Sequence, residues 1–285
     1  MAESPRSPRM ARRVVVVDDP RDPSLSDYVS LRDSQLRRSL ETSRGMFIAE
    51  GEKIIRRAAE AGCRARSFLL QDRWLDGLSD VVENCGDAPV YVGSAALVEQ
   101  VSGFHVHRGA LAAFERPPAR SWEDVLAGDR IMVCQDLVDH TNMGSILRVA
   151  AALGWDAVVV SQGSADPLYR RAIKASMGAS LQLPWRRMDH DGADLQRIHD
   201  AGFHVVATAL VEDAVALENF RPRQRVALLL GTEGHGLSAD WIAAADVSVQ
   251  IPMAEGIDSL NVATAAAICG WALRSSPPAG DVFVP

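Results

Sequence analysis

From residue 129 onward the chain alternates short apolar runs with longer amphipathic stretches, the runs falling at 131–135, 157–161, 203–210, 226–230 and 247–251. Such runs, apolar on both faces and bounded by turn residues, are strands covered on two sides, and helices between them make the sheet largely parallel. This pattern predicts an α/β domain over 129–275. Its ligand turns belong at the carboxyl ends of the strands, after Gln135, Leu210, Leu230 and Ile251. Upstream, 14–17 predicts a short buried strand, 25–40 a helix, 47–50 a strand stopped at Gly51, and 52–61 a helix closed by Gly62. Runs at 67–70, 89–92 and 109–114 predict three more strands, so 13–116 forms a smaller α/β domain. Pro117-Pro118 and the polar residues to Gly128 predict a linker. The Arg-, Ser- and Pro-rich residues 1–12 predict a disordered tail, and 276–285 a second one.

Composition narrows the class. In 285 residues, 47% hydrophobic and 24% charged, no run approaches the roughly 20 apolar residues of a membrane-spanning helix. Residues 1–13 lack the apolar core of a secretory signal, so a cytoplasmic protein is expected. Cys63, Cys85, Cys134 and Cys269 are scattered, with no CxxC pair and no His at zinc spacing, so reduced thiols and no metal are expected. The net charge of −7 argues against coating nucleic acid by bulk electrostatics. Yet residues 1–66 carry 14 Arg and Lys against 10 Asp and Glu, and only Lys53 and Lys174 of the chain's cations are lysine. Arginine suits bidentate phosphate recognition, although genome composition also enriches it.

Three turns hold the candidate chemistry. The first reads Asp136-Leu-Val-Asp-His-Thr-Asn142-Met-Gly-Ser-Ile-Leu-Arg148, with Asn142 as a helix N-cap and Arg148 six residues on. The second, Gly231-Thr-Glu233-Gly-His-Gly236, places three glycines after an apolar strand. It is neither a Walker A loop nor a GxGxxG fingerprint, and Glu233 would repel phosphate, so a neutral adenine and ribose suit it better. The third runs Ile251-Pro-Met-Ala-Glu-Gly-Ile-Asp-Ser259-Leu260-Asn261 into a helix of small residues over 262–273. Pro252 ends the strand, and Ser259 is the expected N-cap.

In this order and spacing, Asn-x-Gly-x-x-x-Arg, Gly-x-Glu-Gly-x-Gly and Ile-Pro-Met…Ser-Leu-Asn-Val-x-x-Ala resemble the signature motifs of the SpoU (TrmH) family of RNA ribose 2′-O-methyltransferases. Lys174-Ala-Ser-Met-Gly-Ala179 is similar to an intermediate segment of that family. Phe47-Ile-Ala-Glu-Gly51 with its helix resembles the family's N-terminal RNA-recruiting domain. His140 departs from the pattern, where the family usually has Pro, which puts the loop conformation in question more than the chemistry.

The resemblance implies an α/β sheet with a deep C-terminal trefoil knot, a rare exception to unknotted chains. It implies S-adenosylmethionine held by Thr208, Leu210, Gly231, Ile251 and Leu260, and a catalytic edge of Asn142, Arg148, Glu233, Ser259 and Asn261. It further implies an RNA substrate, ribosomal or transfer, and a homodimer in which Arg148 works near the partner's cofactor. Arg32, Arg37, Arg38, Arg44, Arg56 and Arg57 are, as a cluster, the expected RNA-recruiting surface, although any one of them taken singly reads rather as a solvated helix face. A base methyltransferase of the same knotted class, and a non-catalytic RNA-binding or assembly protein that kept the fold, are the alternatives.

Overall fold

The computed structural model describes residues 13–31, 41–104, 109–232, 234–256 and 259–274. The expected tails, Arg32, Arg37, Arg38 and Glu233 lie outside the described residues. The chain divides into two compact units. One takes in the described residues up to Pro118 together with Leu168–Gln182, and the other Ala119–Pro167 and the described residues from Leu183 onward.

The first unit is a five-stranded mixed sheet built from β1 (Val14–Val16), β2 (Met46–Glu50), β3 (Ala65–Leu70), β4 (Val90–Val92) and β5 (Ala110–Glu115). Its order is β1-β4-β3-β5-β2, parallel across β1, β4 and β3 and antiparallel at β5. Helices α1 (Glu52–Glu60), α2 (Ser79–Asn84) and α3 (Ala95–Ser102) connect it. Two expectations are corrected here. The strand at 14–17 is an edge, with Val16 81% exposed rather than buried. Instead of a helix from residue 25, a tight turn of 3-10 helix spans Pro23–Tyr28, the chain is extended at Val29, and Ser30 takes a positive φ of 52°. The buried Tyr28 hydroxyl explains that turn, since it meets Ser67 Oγ at 2.8 Å and accepts from the Ala113 amide, tying the turn to two strands.

Residues 168–182, expected in the second domain, belong instead to the first unit. Their helix, Arg170–Ala175, packs on β2 through Glu50, whose carboxylate takes the Arg170 guanidinium and, at 2.7 Å, the Lys174 ammonium. Arg170 also lies 4.4 Å from the centre of the Phe104 ring, a cation–π contact. An acid at a strand end therefore recruits a segment far away in sequence, which apolar periodicity does not reveal.

The second unit is a seven-stranded sheet among the described residues, every pairing parallel. It comprises β6 (Arg130–Cys134), β7 (Ala157–Val160), β8 (Trp185–Arg187), β9 (His204–Thr208), β10 (Val215–Ala216), β11 (Val226–Leu230) and β12 (Val247–Gln250), in the order β10-β12-β9-β11-β6-β7-β8. The five predicted strands are present. The two unpredicted ones, β8 and β10, are short, half-buried edges, β8 carrying two arginines and β10 only two residues long. Residues 117–128 are not a simple linker, because α4 (Trp122–Val125) starts there with a reciprocal capping box between Ser121 and Asp124 and buries Val125.

Each face of this sheet carries a core. On one side lie α5 (His140–Ala152) and, closing the chain, α8 (Val262–Leu273); on the other lie α6 (Asp191–Asp200) and α7 (Ala239–Ala243). Small residues let α8 approach its neighbours closely: a Cβ on Gly270 would fall 2.8 Å from the Met132 side chain and 3.1 Å from that of Leu153. The Trp155 indole donates to the Gly270 carbonyl at 3.1 Å, and the buried Arg130 guanidinium donates to that of Leu273 at 2.8 Å.

For Glu50, burial raises the carboxyl, but the Lys174 hydrogen bond and the nearby Arg170 charge outweigh it and hold it below the ordinary carboxylate range. Its stabilisation is complete above about pH 4.3 and is lost as pH falls through the lower folded value. Glu50→Gln should therefore cost on the order of 3 kcal/mol at pH 7, as for one partner removed from a buried pair. In chemical denaturation followed against pH, the gap from wild type should close below about pH 4; equal stability at pH 7 would refute a structural role for the pair.

Candidate active site

Three strand ends converge. After β6, Asp139 caps α5, its carboxylate accepting from the Thr141 and Asn142 amides at 2.8 Å each. The N-cap is thus Asp139 rather than Asn142, because an ionised acceptor suits the positive end of a helix better than an amide does. Asn142 falls in the first turn, and its side chain takes no part in the cap. Arg148 lies further along α5, exposed.

After β11 the chain closes a tight loop. The Thr232 amide donates to the Gly236 carbonyl and the Gly236 amide to that of Thr232, both at 3.0 Å. Gly234 and Gly236 sit at φ of 87° and 67°, conformations that favour glycine. Gly231 serves a different need, since a Cβ there would fall 2.2 Å from the backbone of Gly236 and Leu237. The loop folds directly across it.

After β12, the cap of α8 is Asn261 rather than Ser259, its side-chain oxygen accepting from the Ala263 amide at 2.9 Å and the Thr264 amide at 3.3 Å. Those two donors orient the side chain, leaving its NH₂ to donate to Asn142 Oδ1 at 3.1 Å. An aspartate in the cap could not make that second bond, its carboxylate having no donor. The first and third motifs are thereby joined.

The segments after β9, β11 and β12, with one side of α8, line a cavity of about 320 Å³, and the first turn stands outside it, joined through the Asn261–Asn142 bond. Thr208, Leu210, Gly231, Ile251 and Leu260, the five expected cofactor residues, all line it, and Ser259 does too. The Thr208 hydroxyl is occupied by the Leu229 carbonyl at 2.8 Å, so its polar contact faces the sheet. Sequence reasoning missed His235, Met253 and Cys269 on the same wall, although the first two stand inside the motifs. Burial pushes the Cys269 thiol up to about 12, leaving it neutral and unreactive. No Asp, Glu, Lys or Arg appears among the described lining residues, and those residues hold no cluster of metal ligands.

The arginines predicted to recruit RNA are engaged where they are described. Arg44 pairs with Asp27 at 2.9 Å, Arg56 bridges Glu52 and Asp80 at 3.1 and 2.6 Å, and Arg57 donates to the Met177 carbonyl. Arg57 thus helps seat the 168–182 segment.

The model of the SpoU rRNA Methylase family matches residues 129–271. An uncharacterized tRNA/rRNA methyltransferase of Mycobacterium bovis is 41% identical over 88% of each chain. A Burkholderia 23S rRNA (guanosine-2′-O-)-methyltransferase, RlmB, is 32% identical over 64% of this chain and 76% of its own. An AdoMet-bound rRNA methyltransferase from Sinorhizobium meliloti superposes with a TM-score of 0.78 over 91% of this chain and 97% of that one, and at 24% identity it speaks to the fold alone. The family match covers half the sequence and all three converging turns, and the chain belongs to the SpoU rRNA methylase family of RNA methyltransferases.

Proposed function

We propose that this enzyme moves a methyl group from S-adenosylmethionine to the 2′-hydroxyl of a ribose in ribosomal or transfer RNA. The observation that carries the reading is the bond from Asn261 to Asn142, which binds the first motif to the stretch whose Ser259 and Leu260 line the cavity. The cavity is of ligand size and has no Lys, Arg, Asp or Glu among its described walls, which suits an adenosine held largely by the backbone of 209–211, 231–232 and 234–236. A polyphosphate would find no Lys or Arg among those walls. Thr208, Leu210, Gly231, Ile251 and Leu260 are the donor's holding residues. The bound donor supplies an electrophilic methyl on a sulfonium.

Displacement at that methyl requires alignment above all, so holding both reactants supplies much of the acceleration. A guanidinium offers donors and no acceptor, so Arg148 is no general base; it grips the adjoining phosphate and stabilises negative charge developing on the ribose oxygen. Its exposure leaves it able to meet RNA. Asn142 and Asn261 set the nucleotide's edge, Ser259 orders the third turn, and Glu233 fixes Arg148 or the loop amides.

Around this site we assign the family's trefoil knot, with α8 as the threaded segment; its tight seat at Gly270 supports this. Ile268 and Trp271, on one face of α8 and 39% and 59% exposed, together with Val138 at 69%, supply apolar surface for a homodimer. The enzyme is a cytoplasmic one. Recruitment of RNA falls to the arginines of the N-terminal unit, Arg32, Arg37, Arg38, Arg44, Arg56 and Arg57, as a cluster.

Arg148→Ala should lower kcat for labelled methyl transfer to RNA by about 10²–10³-fold, the range for one lost charge-stabilising donor, with the circular dichroism spectrum unchanged; near-normal turnover would remove Arg148 from the reaction. Gly231→Ala forces a methyl group into backbone, so titration calorimetry with S-adenosylmethionine should show affinity at least about tenfold weaker, a difference of about 1.4 kcal/mol. Unaltered affinity would place the donor elsewhere. Reversing charge at Arg37, Arg38 and Arg44 together should flatten the salt dependence of RNA binding by about 0.7–0.9 for each phosphate left unneutralised, and an unchanged slope would move the recruiting surface.

A further inference from the structure

We propose that Asp136, Ser161 and Ser164, none of which lines the donor cavity, are positioning residues that hold the first catalytic turn in register; this rests on the methyl-transfer reading above. Asp136 follows β6 and takes a positive φ of 49°, a conformation uncommon outside glycine that aspartate and asparagine tolerate when local hydrogen bonds hold it. What holds it is the hydroxyl of Ser161, a side chain fully buried at the end of β7. That hydroxyl accepts from the Asp136 amide at 2.8 Å and donates to the Oδ1 of the same residue at 2.8 Å, gripping its backbone and side chain together.

The next residue is held in the same way. Ser164 Oγ accepts from the Leu137 amide at 3.2 Å, and the Leu137 carbonyl accepts from the Ala165 amide at 2.7 Å. Ser161 gives its single proton to Asp136, so Ser164 must donate to Ser161 at 3.0 Å or to the Cys134 carbonyl at 3.2 Å. The loop is itself clamped from β8, where Arg187 donates to the carbonyls of Ser161 and Ser164 at 2.8 Å and of Gln162 at 3.0 Å. Gly163 is the complement of this grip, because a Cβ there would fall 2.3 Å from Asp136 Oδ1.

Beside Asp136 in the chain, Gln135 completes the arrangement in the other direction. Its side-chain oxygen accepts from the Ser238 amide and its NH₂ donates to Ser238 Oγ, each at 2.8 Å, at the exit of the Gly231–Gly236 loop. Two consecutive residues thus fix both the turn leading to Asp139, Asn142 and Arg148 and the loop across Gly231. A displacement of about 1 Å at a reacting group is enough to cost on the order of a hundredfold in rate, so a grip of this kind acts on turnover without touching a reactant.

The test uses the full chain, tritiated S-adenosylmethionine and unmodified ribosomal and transfer RNA transcripts. Asp136→Gly keeps the backbone conformation but deletes the acceptor, and Asp136→Asn tolerates the conformation and keeps an oxygen for Ser161. Asp136→Gly should lower kcat at least about tenfold while KM for RNA and the calorimetric affinity for S-adenosylmethionine stay within about twofold; Asp136→Asn should restore most of the loss. Wild-type turnover in Asp136→Gly, no rescue by Asp136→Asn, or an equal loss of donor affinity would each overturn the proposal. If the wild-type chain transfers no methyl to either RNA, the activity reading itself fails. The positioning claim is then decided by hydrogen exchange at the Leu137, Thr141 and Asn142 amides, which Asp136→Gly must accelerate and Asp136→Asn must not.

Discussion

The site depends on how closely the last helix can lie against the sheet. Two carbonyls of α8 are taken by side chains from elsewhere in the same core, Gly270 by the Trp155 indole and Leu273 by the Arg130 guanidinium. These bonds satisfy groups near a helix end that would otherwise need water, and Arg130, itself buried, would be costly there without such acceptors. With its C-terminal end anchored, a helix of twelve residues has a fixed place for its first residue. Asn261 therefore arrives beside Asn142, and Val262, Ala265 and Cys269 become a wall of the cavity. Packing at one end of the helix sets polar geometry at the other.

Charge is sorted in the same economical way. The described cavity walls hold no Asp, Glu, Lys or Arg and are largely apolar, whereas the cation of the first motif, Arg148, stands exposed on α5. A guanidinium inside the cavity would repel a sulfonium, and one left in solvent can meet phosphate. An asparagine pair is the right link between the two environments, because each side chain both donates and accepts while carrying no charge of its own.

Much of this is legible in the sequence. The buried strands of the second unit declare themselves by unbroken apolar runs, and the three turns follow from where those runs end. The five residues expected to hold the donor share a single cavity. The caps are harder: sequence points to Asn142 and Ser259 where the structure uses Asp139 and Asn261, because several acceptable capping residues stand within three positions of one another and only the tertiary partner selects among them. The edge strands β8 and β10 carry no periodic signal, half-buried as they are. The attachment of 168–182 to the N-terminal unit depends on Glu50 meeting Arg170 and Lys174, 120 and 124 positions away, and pattern reading along a chain has no access to that distance.

The ion pairs of the N-terminal unit's arginines bear on the RNA contacts proposed for them. Arg44 and Arg56 are tied to Asp27, Glu52 and Asp80, yet most of these groups keep substantial exposure, Asp80 at 63%. Pairs of that kind contribute only about 0–1 kcal/mol, because water solvates both partners nearly as well. At Arg56 a phosphate could therefore replace Asp80 at little cost, the released acid standing already in solvent, whereas Asp27 is largely buried and would keep its second partner, Arg66, at 3.2 Å. Arg57 is different. Its bond to the Met177 carbonyl and the close packing of its side chain under Gly178, where a Cβ would fall 2.9 Å from Arg57 Cδ, join it to the segment it seats. Surrendering that bond would strand a backbone acceptor rather than free a solvated carboxylate, so of the three described arginines Arg57 is the one whose structural task would compete most with the RNA contact proposed for it.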